Sequence, residues 1–251
     1  MPKPVSGFKY RDIEHPLFWD VVENSYLYCP NPQTFNDPFD CQVEWKRSFA
    51  RAFATPGLTS ERRKALQGIL TEFEDRDPLE VLNPGVFCLT RDVRSVLMWS
   101  HYAGSHQGVC FFYRFPADYF TKRYQVPDDE GFFFVGHSRV HYGDDAFLRW
   151  LLNGDLNKPS NGGHAENAVV KIMTTKAKKW AYEEEWRIVT SKPGRLNFEP
   201  DHLEEITFGL RISKDNEEKL RETARRINPR VKFNRMSIDQ GSDYVLTAGP
   251  A

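Results

Sequence analysis

The chain has 251 residues, 40% of them hydrophobic and 14% aromatic, which is enough apolar material for one large domain with its own core. Lys and Arg total 34 against 35 Asp and Glu, so the net charge is -1 and the strongly basic footprint of a dedicated nucleic-acid binder is excluded. Neither the four cysteines nor the seven histidines come at ligand spacing, so no metal is expected.

In chain order, residues 7–11 read as a first strand, and 13–24 as a helix with Ile13, Leu17, Phe18, Val21 and Val22 at helical spacing. Tyr26-Leu27-Tyr28-Cys29 reads as a second strand, followed by a loop crowded with Pro and Asn. A helix is expected over 59–73, a compact strand over 86–89, a short helix over 94–103 and a buried strand over 109–115. The segment 131–142 alternates like a strand. Helices follow at 144–153 and 165–179, separated by a Gly/Asn/Pro/Ser-rich loop at 154–163. Strands are expected at 185–190 and 205–210, a Ser213-capped helix at 214–227, and closing strands at 230–238 and 244–246. Strands and helices interleave without a βαβ repeat, and there is no phosphate-binding Gly motif. The expectation is one α+β domain over residues 1–251, with a mixed, mostly antiparallel central sheet and flanking helices. Met1-Pro2-Lys3-Pro4-Val5 has no apolar leader character, and no run reaches the roughly 18 apolar residues of a membrane span. A cytoplasmic protein with no membrane partner is expected.

Three polar-aromatic clusters carry the functional signal. Phe35-Asn36-Asp37-Pro38-Phe39-Asp40 is a Pro-bounded turn whose Asn36 and Asp37 serve either the turn itself or a polar ligand. Met98-Trp99-Ser100-His101-Tyr102-Ala103, with His106 and Gly108 beyond it, offers two near-neutral bases beside aromatic rings. In Trp180-Ala181-Tyr182-Glu183-Glu184-Glu185-Trp186-Arg187, a strand places Glu183 and Glu185 on one side, where mutual repulsion leaves an acid beside a base. The alternative is a surface acidic run paired with Arg187 and nearby lysines. Lys176-Ala177-Lys178-Lys179 reads as a solvated helix face. The three clusters together are expected to border one cleft.

These clusters, with Phe8-Lys9-Tyr10-Arg11, resemble a bacterial family known as domain of unknown function 2971; the matching pieces run in family order over roughly residues 8–210. The chain is also similar, more weakly, to the ADP-ribosyltransferase superfamily, which carries Arg or His on a first core strand, Ser, Thr or Tyr on a middle strand, and Glu on a late strand. That resemblance implies Tyr10 or Arg11, Thr90, and Glu185 or Glu183 in those three places, and an ADP-ribosyltransferase-like fold. It further implies NAD as substrate, with Glu185, Glu183 and His101 catalytic. Tyr10, Arg11, Asn36, Asp37, Thr90, Trp99, Tyr102, His106 and Trp186 would hold the nucleotide. A protein or nucleic-acid acceptor and a toxin or phage-defence role follow from the same resemblance. Two other function classes stand beside it: a non-catalytic binding module, and a metal-dependent phosphodiesterase or nuclease built on Asp37, Asp40, His101 and Glu185.

Overall fold

A computed structural model describes residues 4–73, 83–156, 164–239, 241 and 245–251. Five strands form the larger sheet: β1 (Val5–Arg11), β4 (Val109–Phe115), β10 (Leu203–Phe208), β11 (Lys232–Ile238) and β12 (Leu246–Pro250), side by side in that order. Among the described strands of this sheet, only β10 and β11 run parallel to each other. A parallel neighbour needs a crossover, and α8 (Lys214–Ile227) supplies it, its N-terminus capped by the Ser213 hydroxyl as the sequence predicts. The smaller sheet is antiparallel, in the order β3 (Gly85–Leu89), β8 (Trp186–Thr190), β5 (Phe134–Arg139). The fold is α+β with a mixed, mostly antiparallel sheet, as expected.

The two sheets meet where β1 passes the end of β3. Phe8 and Thr90 exchange both backbone hydrogen bonds there, each 2.8 Å long. Gly7 makes the approach feasible, because a Cβ at that position would lie 2.9 Å from both Leu89 Cβ and the Thr90 carbonyl oxygen.

Period-two alternation gives β3 and β8 two different faces. Phe87, Leu89 and Ile188 join Phe111, Tyr113, Ile206 and Phe208 of the larger sheet, with α1 (Phe18–Asn24) and α8, in one core. Val86 and Val189 face the opposite way, into a second core built by α2 (Trp45–Ala54), α3 (Ser60–Phe73), α6 (Ala146–Asn153) and α7 (His164–Met173). A third cluster packs α4 (Val96–Tyr102) onto Tyr10 and Cys110 of the larger sheet.

Two predicted helices are shorter than their periodicity implies. The first begins at Phe18 rather than residue 13, because Pro16 interrupts the helical ladder and residues 13–17 turn instead, the Leu17 amide donating to His15 Nδ1. The helix read over 165–179 ends at Met173. Thr174 and Thr175 turn their hydroxyls back onto the carbonyls of Val170 and Lys171, and the chain continues as the two-residue strand β7 (Thr175–Lys176) and a 3-10 turn over Lys178–Glu183. Lys176 therefore leaves the solvated helix face on which the sequence places it. Helix α2 and the strand β9 (Gly194–Asn197), which pairs with β2 (Tyr26–Cys29), are not evident from periodicity. Part of the loop read at 154–163 and Tyr244 of the last predicted strand lie outside the described residues.

Candidate functional site

A cavity of about 320 Å³ opens at the seam between the sheets. Its walls are largely aromatic and apolar, from Phe8, Tyr10, Phe35, Leu89 and Met98. Its polar groups come from five parts of the chain: Lys9 on β1, Thr34, Asn36 and Asp40 after β2, Thr90 after β3, His101 and Tyr102 on α4, and Lys176, Glu183, Glu185 and Arg187 around β7 and β8. Apolar walls with a few convergent polar groups are the usual form of a small-molecule site.

The floor is a buried charge network. Asp40 and Glu185 are each 5% exposed, Lys176 is 7%, Glu183 is 1%, and Arg187 has no exposure at all. Arg187 shares a face of β8 with Val189 and so points away from the first core. Its Nη1 and Nη2 grip the two Asp40 carboxylate oxygens at 2.8 Å each, and its Nε donates to Glu185 Oε2 at 2.9 Å. Nη1 also reaches the Met173 carbonyl at 2.8 Å, which satisfies the guanidinium in every direction. The Lys176 ammonium lies 2.7 Å from Glu185 Oε1 and 3.0 Å from Asp40 Oδ2, and donates to Glu183 Oε2. Tyr102 donates its hydroxyl to the other Glu183 oxygen at 2.7 Å. Thr90 fixes the same turn by donating to the Glu183 backbone carbonyl at 2.5 Å.

Two positive and two negative charges, Lys176 and Arg187 against Asp40 and Glu185, balance each other. Glu183 is the fifth charge. Burial works against ionisation of Asp40 and Glu185, but Arg187 and Lys176 overcome it and hold both carboxyls below the usual carboxylate range. For Glu183 burial prevails. Together with the adjacent Glu185 carboxyl it raises the Glu183 pKa to about 7, with Lys176 opposing. The site thus pairs a fixed carboxylate with one that exchanges its proton near neutrality, the division of labour found where carboxyl pairs do acid–base chemistry.

Glu183 and Glu185 do share one side, but not through strand pleating. Glu183 closes the 3-10 turn, Glu184 is left-handed (φ 45°, ψ 47°), and Glu185 precedes β8. The left-handed residue redirects the chain so that both carboxyls converge on Lys176.

Of the residues singled out from sequence, Tyr10, Asn36, Thr90, His101, Tyr102, Glu183 and Glu185 line the cleft. Asn36 Nδ2 approaches the Tyr102 hydroxyl at 3.5 Å. Five others stand elsewhere, each for a local reason. Asp37 accepts from the Phe39 amide within its own turn. Trp99 is fully buried, donating to the Val93 carbonyl and packing edge-on against Tyr10. His106 stacks on Trp99 with its Nε2 3.3 Å from Ser100, in a turn where Gly104, Ser105 and His106 all have positive φ. Strand alternation places Trp186 on the face opposite Arg187, against His137. Arg11 ends β1 beyond the cavity wall, and burial lowers its pKa. The cleft therefore unites three clusters, while Asp37, Trp99, His106, Trp186 and Arg11 build its surroundings.

Sequence reading missed Lys9, Lys176 and the depth of Arg187. Lys176 carried a usable signal, because Thr174-Thr175 directly before it breaks a helix. Among the described residues, no group of three or more His, Cys, Asp or Glu side chains is placed to hold a metal ion, and none of their helices is long and apolar enough to cross a membrane.

The family model described as "Protein of unknown function (DUF2971)" matches residues 98–188. That stretch is shorter than the 8–210 span of the shared motifs, yet it carries His101, Tyr102, Lys176, Glu183, Glu185 and Arg187. The chain is similar to the family over the part that builds most of the cleft's polar side. No curated protein and no solved structure matches the chain.

Proposed function

We propose that the cleft is an acid–base active site whose proton carrier is Glu183, acting at the glycosidic bond of a nucleotide-type ligand, with NAD as substrate and ADP-ribose transferred or hydrolysed. The carrying observation is the odd charge: four buried groups cancel, and the fifth faces the cavity with a pKa near neutrality. A carboxyl of that kind gives or takes a proton at physiological pH. Glu185 supplies a fixed negative field for an oxocarbenium-like centre. Lys176 and Arg187 hold the Glu185 carboxyl ionised, whereas the Glu183 carboxyl is raised to about 7, so the leading proton-transfer role passes from Glu185 to Glu183. Tyr102 orients the Glu183 carboxyl, and the aromatic walls supply the surface on which a planar base stacks. Asn36 and His101, exposed at the cleft, contact the ribose or the acceptor. An NAD-consuming activity of this kind would suit a toxin or a phage-defence effector acting on a protein or nucleic acid.

The test is nicotinamide release from NAD by wild type, Glu183→Gln and Tyr102→Phe. Glu183→Gln keeps the shape and removes the titrating proton, so kcat/KM falls by about two decades or more, while Tyr102→Phe loses roughly one. A wild-type protein that releases no nicotinamide, or a Glu183→Gln variant with full activity, overturns the reading. The first outcome is the one a non-catalytic binding cleft gives.

A further inference from the structure

Among the described residues three lysine and arginine side chains line the cleft, and two of them, Lys176 and Arg187, belong to the buried network. Lys9 does not. Among the described residues no ion pair or hydrogen bond involves its ammonium, which rests 4.9 Å from the centre of the Phe87 ring. Arg11 follows two positions along β1 and so on the same face. It too has no carboxylate partner among the described residues. Burial first, and then the neighbouring Arg11, lower the Lys9 pKa, and the Glu185 carboxylate attracts the ammonium only from a distance. A half-buried cation with a like charge beside it and no counter-ion among the described residues is held at a free-energy cost that an arriving anion relieves.

We propose that Lys9 is the anion receptor of this cleft: a phosphate or carboxylate group of the ligand docks on its ammonium while the rest of the ligand lies against the aromatic walls. The inference rests on the cleft being a ligand site, and it narrows the ligand to molecules carrying an anionic oxygen group. Arg11 adds to the attraction from behind the wall. It also assigns specificity, because a ligand stripped of that group leaves the half-buried Lys9 unpaired and binds more weakly.

Isothermal titration of the full chain with inorganic pyrophosphate, and separately with succinate, tests it. At least one of the two is expected to bind; pyrophosphate alone identifies a phosphoryl ligand and succinate alone a carboxylate ligand. Lys9→Met, close in shape but uncharged, weakens that binding by about tenfold or more, whereas Lys9→Arg stays within a factor of a few. Acetic anhydride labelling of the wild-type protein, read by mass spectrometry, gives a result that does not depend on a variant folding: the bound anion protects Lys9. Failure of both anions to bind, unchanged binding by Lys9→Met, or undiminished labelling overturns the proposal. Nicotinamide release with an unprotected Lys9 preserves the acid–base reading and removes this one. Pyrophosphate protection of Lys9 without nicotinamide release does the reverse.

Discussion

Arg187 is where the site and the stability of the protein are hardest to separate. Its planar fork meets Asp40, Glu185 and the Met173 carbonyl at once, a geometry the point charge of a lysine does not reproduce. Replacing it with Met leaves Asp40 and Glu185 buried with only Lys176 between them. The expected cost is about 3–5 kcal/mol, or on the order of 10 °C in Tm for a chain of this size. A thermal melt checks this, and a loss of under 2 °C would show that the network is dispensable to the fold. The same network corrects the alternative of a surface acidic run: Arg187 is indeed a partner, but Glu183 and Glu185 are buried. Glu183 and Glu185 were legible from sequence as a carboxyl pair two positions apart, but it is the left-handed Glu184 between them, not strand pleating, that brings them together. Lys9 and Lys176 were not legible: a lysine near a strand or helix end is usually solvated, and Thr174-Thr175 before Lys176 marks only the end of the helix, not where the ammonium goes. Asp40 was read as a turn residue; its partner lies 147 positions away, a distance no local pattern crosses.

At the level of elements, the cleft depends on how closely β1 approaches β3. Gly7→Ala places a methyl group 2.9 Å from backbone and side-chain atoms of β3. The strands must part, at a cost of about 1–3 kcal/mol, and the Phe8–Thr90 pair must lengthen or break. Hydrogen exchange at the Phe8 and Thr90 amides therefore accelerates in Gly7→Ala, while exchange within β10 and β11 does not; uniform acceleration through the larger sheet would instead mean global destabilisation. The strands themselves were well marked. β2 and β4 match the expected bounds, because strong apolar runs flanked by turn residues leave little choice of state. Helix ends were read less well. The apolar repeat of α7 stops at Met173, but a Lys-rich continuation looks helical until the Thr174-Thr175 hydroxyls are seen to close it. Helix α2 is also a helix that periodicity did not announce, since it follows directly on a turn dense in Pro and Asp.

For the whole molecule, the unequal carboxyls impose a pH dependence whose sign can be worked out. Glu183 is raised from an ordinary 4.5 to about 7, so within that window the folded protein keeps a proton the unfolded chain has released. Stability therefore falls as pH rises through the window, by up to about 1.4 kcal/mol per pH unit. Asp40 and Glu185 are depressed, so their contribution is present above the ordinary carboxylate range and is lost as pH falls below it. His137, whose pKa burial lowers, adds to the decline on the acid side. Tm should peak at about pH 5–6 and decline toward pH 8. Glu183→Gln removes the alkaline decline and leaves the acid side as it was, since the other groups cancel in the comparison. A variant whose Tm still falls between pH 5 and 8 as wild type does would place the titrating group elsewhere.

The wide separation of the cleft's charged residues along the chain also bears on synthesis. Lys9 emerges from the ribosome early and Arg187 late, with 178 positions between them. At about 5–20 residues per second that is an interval of roughly 10–40 s. Throughout it Asp40 has no guanidinium to meet, Tyr102 has no carboxyl to hold, and β3 has no β8 to pair with. A nascent chain therefore has no working cleft, and a product cut short before β8 lacks both the site and the strand that seals the smaller sheet. Assembly of the cleft is deferred until about three-quarters of the polypeptide has been made.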